Sequence, residues 1–127
     1  MRYTEDTQEK YTLLQLNEMK LDATVSPLLK SKFVTLNAEG NKNIIADLSQ
    51  VKYIDSSGLS ALLIGNRLCQ DAEGSFILAG ITDHVMKLIK ISQLDTVLEL
   101  LPTVEEAVDA VFMHELEDDL GKDDSDK

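Results

Sequence analysis

The sequence predicts a single α/β domain built on a mixed, mostly parallel sheet of four to five strands with about four helices. Three observations lead there. Short β-type runs alternate with helix-type runs, the pattern that strand–helix–strand crossovers require. Residues 43–48 include a dense apolar run, Ile44-Ile45-Ala46, as a central strand covered on both faces demands. The length, 127 residues, suits one domain and can bury a core without covalent staples.

Taken in order, residues 1–10 are polar and are expected to form a short edge strand or a frayed start. Residues 11–16 read as a strand with Leu14 and Leu16 facing one way, followed by a polar connection to Lys20. A first helix is expected to open at Leu21-Asp22-Ala23-Thr24, capped by Asp22, Thr24 or Ser26, with Pro27 in the first turn. Leu29, Phe33 and Leu36 recur at helical spacing, and Gly40 suits the left-handed position after the helix. After the 43–48 strand and a turn at Ser49-Gln50, residues 51–54 lead into Asp55-Ser56-Ser57-Gly58-Leu59. A second helix is predicted from about Ser56 to Asp71, closed by Ala72-Glu73-Gly74. Residues 75–81 form the next strand, and Thr82-Asp83 should cap a third helix carrying Val85, Leu88 and Ile89. Residues 97–101 make the last strand. Thr103 and Glu106 have capping-box spacing ahead of an apolar stripe of Val104, Ala107, Val108, Val111 and Phe112. From Glu115 onward apolar content falls, so the domain is expected over 1–114, with 115–127 an acidic, disordered tail.

Composition removes several function classes. A net charge of −11 opposes nucleic acid and anionic membrane surfaces alike. The single cysteine, Cys69, allows no internal disulfide and suits a reducing compartment. No run of about 18 apolar residues offers a membrane span, and the first residues lack a signal-peptide core. A cytoplasmic protein is expected. The two histidines, His84 and His114, lack triad or metal-ligand spacing. Gly-x-Ser-x-Gly and the Gly-rich phosphate loops are also missing. No cofactor, no metal and no enzymatic activity are therefore expected. Cys69 reads as a small core residue.

The stretch at Asp55 carries the functional signal. It joins a strand to a helix, where free backbone N–H groups attract negative charge. Two readings of its serines stand side by side: a phosphorylation switch, in which Ser56 gains about −1.5 to −2 charges, and an ordinary helix cap. At about 100° per residue, Ser56, Ser60 and Arg67 share one helix face, flanked by Asn66, Gln70 and Asp71. Ala61, Leu62, Gly65, Leu68 and Cys69 take the core side. Leu59 and Leu63 lean toward the serine face, which predicts a partly exposed mixed patch suited to a protein partner.

The chain resembles the STAS family, shared by anti-sigma factor antagonists and the tails of sulphate transporters. The match rests on Asp55-Ser56-Ser57-Gly58-Leu59 between a strand and an apolar helix, on Leu21-Asp22-Ala23 before the first helix, and on the order of elements from about Tyr11 to Phe112. The resemblance implies a STAS-like fold and a binding protein. Its unmodified form would engage an anti-sigma factor that is also a serine kinase, thereby freeing a sigma factor. Phosphorylation of Ser56 would release it, and a phosphoserine phosphatase would reset it. The partner-binding residues would be Asp22, Asp55, Ser56, Ser57, Gly58, Leu59, Ser60, Leu63 and Arg67. Ser60 stands where members of the family often have glycine. The alternative reading keeps the fold and drops the switch: a non-switching STAS scaffold or accessory module in a signalling or transport assembly.

Overall fold

The computed structural model describes residues 1–125. The elements, in order, are β1 (Tyr3–Thr7), β2 (Thr12–Leu16), β3 (Lys20–Leu21), α1 (Ser26–Ala38), β4 (Ile44–Asp47), β5 (Tyr53–Ile54), α2 (Ser56–Asp71), β6 (Phe76–Ala79), α3 (Asp83–Ile91), a 3-10 turn at Leu94–Thr96, β7 (Glu99–Leu101) and α4 (Val104–Ser125). Five strands form one sheet in the order β1-β2-β4-β6-β7. Only the β1–β2 pair is antiparallel; β2–β4, β4–β6 and β6–β7 are parallel. This is the mixed, mostly parallel sheet expected, with four α-helices. Among the described residues no helix is long and apolar enough to cross a membrane.

Strand alternation sorts the core into two layers. Leu14, Leu16, Ile44, Ala46, Phe76 and Leu78 face α1, α2 and α3, where they meet Phe33, Leu36, Leu62 and Ile89. Phe33 and Phe76 pack edge to face, with ring centres 5.3 Å apart. The alternate residues Ile45, Ile77 and Ala79 face the other way and are covered by Ala107 and Val111 of α4. One sheet face therefore carries three helices and the opposite face carries one.

Several ends differ from expectation. Helix α1 begins at Ser26, not at Leu21, because Asp22 turns the chain first: its Oδ1 accepts from the Thr24 N–H at 3.0 Å and from the Thr24 hydroxyl at 2.6 Å. None of the three candidate side chains caps α1, although Pro27 does sit in its first turn. Gly40 follows α1 at φ +92°, and the Asn41 N–H returns to the Leu36 carbonyl at 3.0 Å. Thr82 starts α3 without capping it; its hydroxyl donates to the Val51 carbonyl at 2.7 Å instead. Thr103 does cap α4, accepting from the Glu106 N–H at 3.1 Å. Phe112 leaves the predicted stripe and is exposed.

The boundary expected at Glu115 falls inside α4. There Glu115 accepts from the Asn43 side-chain amide at 2.6 Å and lies 3.5 Å from the Lys42 ammonium. Asn43 is buried and fully used: it also donates to the Lys10 carbonyl and accepts from the Ser75 N–H. Asp126 and Lys127, the end of the expected tail, lie outside the described residues.

Candidate protein-binding site at the start of α2

Two short strands build the site. β3 and β5 pair in parallel beside the main sheet, Lys20 with Tyr53 and Leu21 with Ile54. The Asp55 N–H then reaches the Leu21 carbonyl at 3.3 Å, so the loops entering α1 and α2 lie together. That approach is why Gly58 must be glycine: a Cβ there would collide with the Leu21 carbonyl oxygen and lie 2.6 Å from Ile54 Cγ1. Gly58 is buried, so it shapes the site from beneath.

Asp55 caps α2. Its Oδ1 accepts from the N–H groups of Ser57 at 2.9 Å and Gly58 at 3.1 Å, and from the Ser57 hydroxyl. The Ser57 hydroxyl, then the Gly58 N–H, hold the Asp55 carboxyl below the usual carboxylate range. Ser57 Oγ also lies 3.1 Å from Ser26 Oγ, which donates to the Asp22 carbonyl at 2.7 Å. Ser57 is thus spent on tying α2 to the start of α1. Asp22 sits across this junction, its carboxyl lowered chiefly by the Thr24 hydroxyl and raised somewhat by the neighbouring Asp55 charge.

Ser56 is left over. It occupies the first position of α2, is exposed, and its hydroxyl takes no part in the cap. Around it the helix presents exposed Ser60 and Arg67, with Leu59 and Leu63 partly buried where they lean on the core. Arg67 reaches Asp71 only at 4.0 Å and is largely in solvent, so its guanidinium is available to a partner. Asn66, expected to flank this face, is buried instead.

A phosphate on Ser56 would meet the backbone dipoles of the α2 start and the carboxylates of Asp55 and Asp22 together. The surface there, which already sets two carboxylates beside neutral hydroxyls and the Arg67 cation, would become strongly negative.

The STAS domain family matches residues 6–107. The chain belongs to that family. Among curated relatives, an anti-sigma-B factor antagonist of Listeria monocytogenes is 24% identical over 81 residues, 64% of this chain and 71% of its own. Among solved structures, an anti-sigma-factor antagonist (STAS) domain protein of Planctomyces limnophilus has a TM-score of 0.78 at 18% identity, covering 86% of this chain and 97% of that one. The anti-sigma factor antagonist SpoIIAA of Bacillus is similar in its unphosphorylated form with a TM-score of 0.73 at 24% identity, over 87% of this chain and 96% of that one. In its phosphorylated form the TM-score is 0.67 at 23% identity, over 87% of this chain and 99% of that one.

Within this STAS domain, two residues beside the site escaped the sequence. Tyr53 and His84 stack face to face, ring centres 5.7 Å apart, and both are exposed. Strand alternation against buried Ile54 could have turned Tyr53 outward; nothing in the sequence pairs it with a residue on α3. Neither histidine hydrogen-bonds to Ser56 or Ser57 among the described residues, and His114 is held instead by Glu99 at 3.0 Å. Burial pushes the Cys69 thiol up to about 12, leaving it a packed side chain. Among the described residues no cluster of three or more His, Cys, Asp or Glu is placed to hold a metal.

A concavity lies elsewhere. A groove of about 760 Å³ opens at the far end of α2, between Gln70, Phe76 and the His114–Asp119 stretch of α4. The Ser56 surface suits a protein partner better than a small ligand, which prefers a cleft.

Proposed function

We propose that this STAS domain is a phosphoserine-switched binding module of the anti-sigma factor antagonist type, acting in the cytoplasm and without catalysis of its own. Its unmodified form binds an anti-sigma factor with serine kinase activity. Phosphorylation of Ser56 releases that partner, and a phosphatase restores binding. The observation that carries the reading is the division of labour at the α2 start: Asp55 and Ser57 make the cap and the α1 tie, which leaves Ser56 exposed with its hydroxyl outside both. Leu59, Leu63 and Arg67 give the surrounding face apolar area and a cation, the makings of an interface. Release follows from electrostatics, because a dianion beside Asp55 and Asp22 carries like-charge repulsion and a desolvation cost into any contact.

The test begins with intact mass and fragment mapping on protein purified from its own cells across growth and stress conditions. A phosphate on Ser56 is expected. With the kinase identified through the Ser56→Ala protein, Ser56→Ala should bind it like the unmodified chain, and Ser56→Asp should bind at least about ten-fold more weakly. Equal binding by all forms, or a Ser56 never modified, would replace the switch with a constitutive scaffold on the same fold.

A further inference from the structure

Helix α4 continues to Ser125, well past residue 107 where the family match ends. Its inner face is occupied: Ala107 and Val111 cover Ile45, Ile77 and Ala79, His114 holds Glu99, and Glu115 holds Asn43. Among the described side chains, the outer face from Phe112 to Leu120 is not. Phe112, Met113, Leu116 and Leu120 are 48%, 54%, 53% and 56% exposed. At about 100° per residue these four side chains fall within an arc of about 100°, a continuous apolar stripe and not scattered single residues.

Charge decides what can cover it. Glu117 and Asp119 flank the stripe, Asp109 stands at its N-terminal end, and residues 104–120 contain no lysine or arginine. A second copy of this helix, in either direction, would set carboxylates against carboxylates. An anionic lipid surface meets the same repulsion. We propose that the outer face of α4 docks into an apolar cleft with a basic rim on a partner protein. This surface lies across the sheet from α1 and α2, so such a partner would leave the Ser56 face open. The proposal stands whether or not Ser56 is a switch.

The experiment uses the full chain and, as probe, a fluorescent synthetic helix of leucine and lysine that presents an apolar stripe with a basic rim, read by anisotropy. Leu116→Glu separates packing from simple charge attraction, because it removes apolar area while adding negative charge. The expected result is binding weakened by about ten-fold or more in Leu116→Glu and in Phe112→Glu. Leu28→Glu, which adds the same charge at an exposed position of α1, should bind as the parent does. All three sites are exposed, and circular dichroism checks the fold of each variant. Equal or tighter binding by Leu116→Glu would overturn the proposal. So would a dimer in sedimentation equilibrium that Leu116→Glu dissolves, or stripe-dependent binding to phosphatidylserine vesicles.

Discussion

At the scale of single residues, Asp55, Ser56, Ser57 and Gly58 divide four jobs that the sequence could only list together. Asp55 caps, Ser57 links two helix starts, Gly58 lets backbone approach backbone, and Ser56 is left facing solvent. The sequence identified the stretch because the residue types are distinctive, but one partner of the Ser57 hydroxyl is Ser26, 31 residues away in the chain. The sharpest residue-level prediction concerns Gly58. Alanine in a helix interior is favoured over glycine by about 1 kcal/mol, yet here its methyl group would press on the Leu21 carbonyl and the Ile54 side chain. Overpacking of this kind costs roughly 1–3 kcal/mol, and backbone yields less readily than a side-chain end. Gly58→Ala should therefore lower stability by about 1–2 kcal/mol net in urea unfolding. A variant as stable as the parent would mean that the β3–β5 loops move apart freely.

At the scale of elements, spans were legible where hydrophobic period and caps agreed. The second helix was expected from about Ser56 to Asp71 and runs over those residues, because Asp55 is a strong cap and Glu73 and Gly74 end it. The 43–48 run was legible as a central strand because only burial on both faces tolerates Ile44-Ile45-Ala46. The β3–β5 pair was not, because a two-residue strand has no period to read. Nor was the docking of α4 beyond His114, where carboxylates outnumber the two leucines, Leu116 and Leu120. That docking should depend on pH. The hydrogen bond and charge of Glu99, with a smaller contribution from Glu117, raise the pKa of His114 against a modest opposing effect of burial. A group whose folded pKa is raised stabilises the fold fully below its unfolded value, about 6.5. That stabilisation is lost as pH rises through the raised folded value. The facing groups are Glu99 from β7 and Glu117 on α4 itself, with Glu115 turned to Asn43 and Lys42. His114→Gln should therefore cost more stability at pH 5.5 than at pH 8.5, read as the gap in urea midpoint from the parent. An equal gap at both pH values would show that His114 contributes through packing alone.

At the scale of the whole molecule, the net charge of −11 sets a background that local pairs only partly offset. The ion pairs divide into two kinds. Arg2–Glu18 and Arg67–Asp71 each expose their cation to water and contribute little. Lys32–Glu5, which pins edge strand β1 to α1, and Lys42–Glu115, which pins α4, are more sheltered. Against these few attractions stand carboxylates crowded around the far groove, where Glu73, Glu117, Asp118 and Asp119 converge with Glu99 and Glu115. Repulsion of that kind extends over a Debye length, about 30 Å at 0.01 M salt and about 10 Å at 0.1 M. At low salt it spans much of the molecule and penalises the compact state over the expanded one. Screening weakens both signs of interaction, but the excess is negative and the sheltered pairs are screened least. Stability should therefore rise as sodium chloride goes from about 0.01 to 0.3 M, with urea as the denaturant because guanidinium would itself screen the charges. A midpoint that falls with salt would mean that the Lys32 and Lys42 pairs outweigh the acidic excess, and that the two helices they hold are secured mainly by charge.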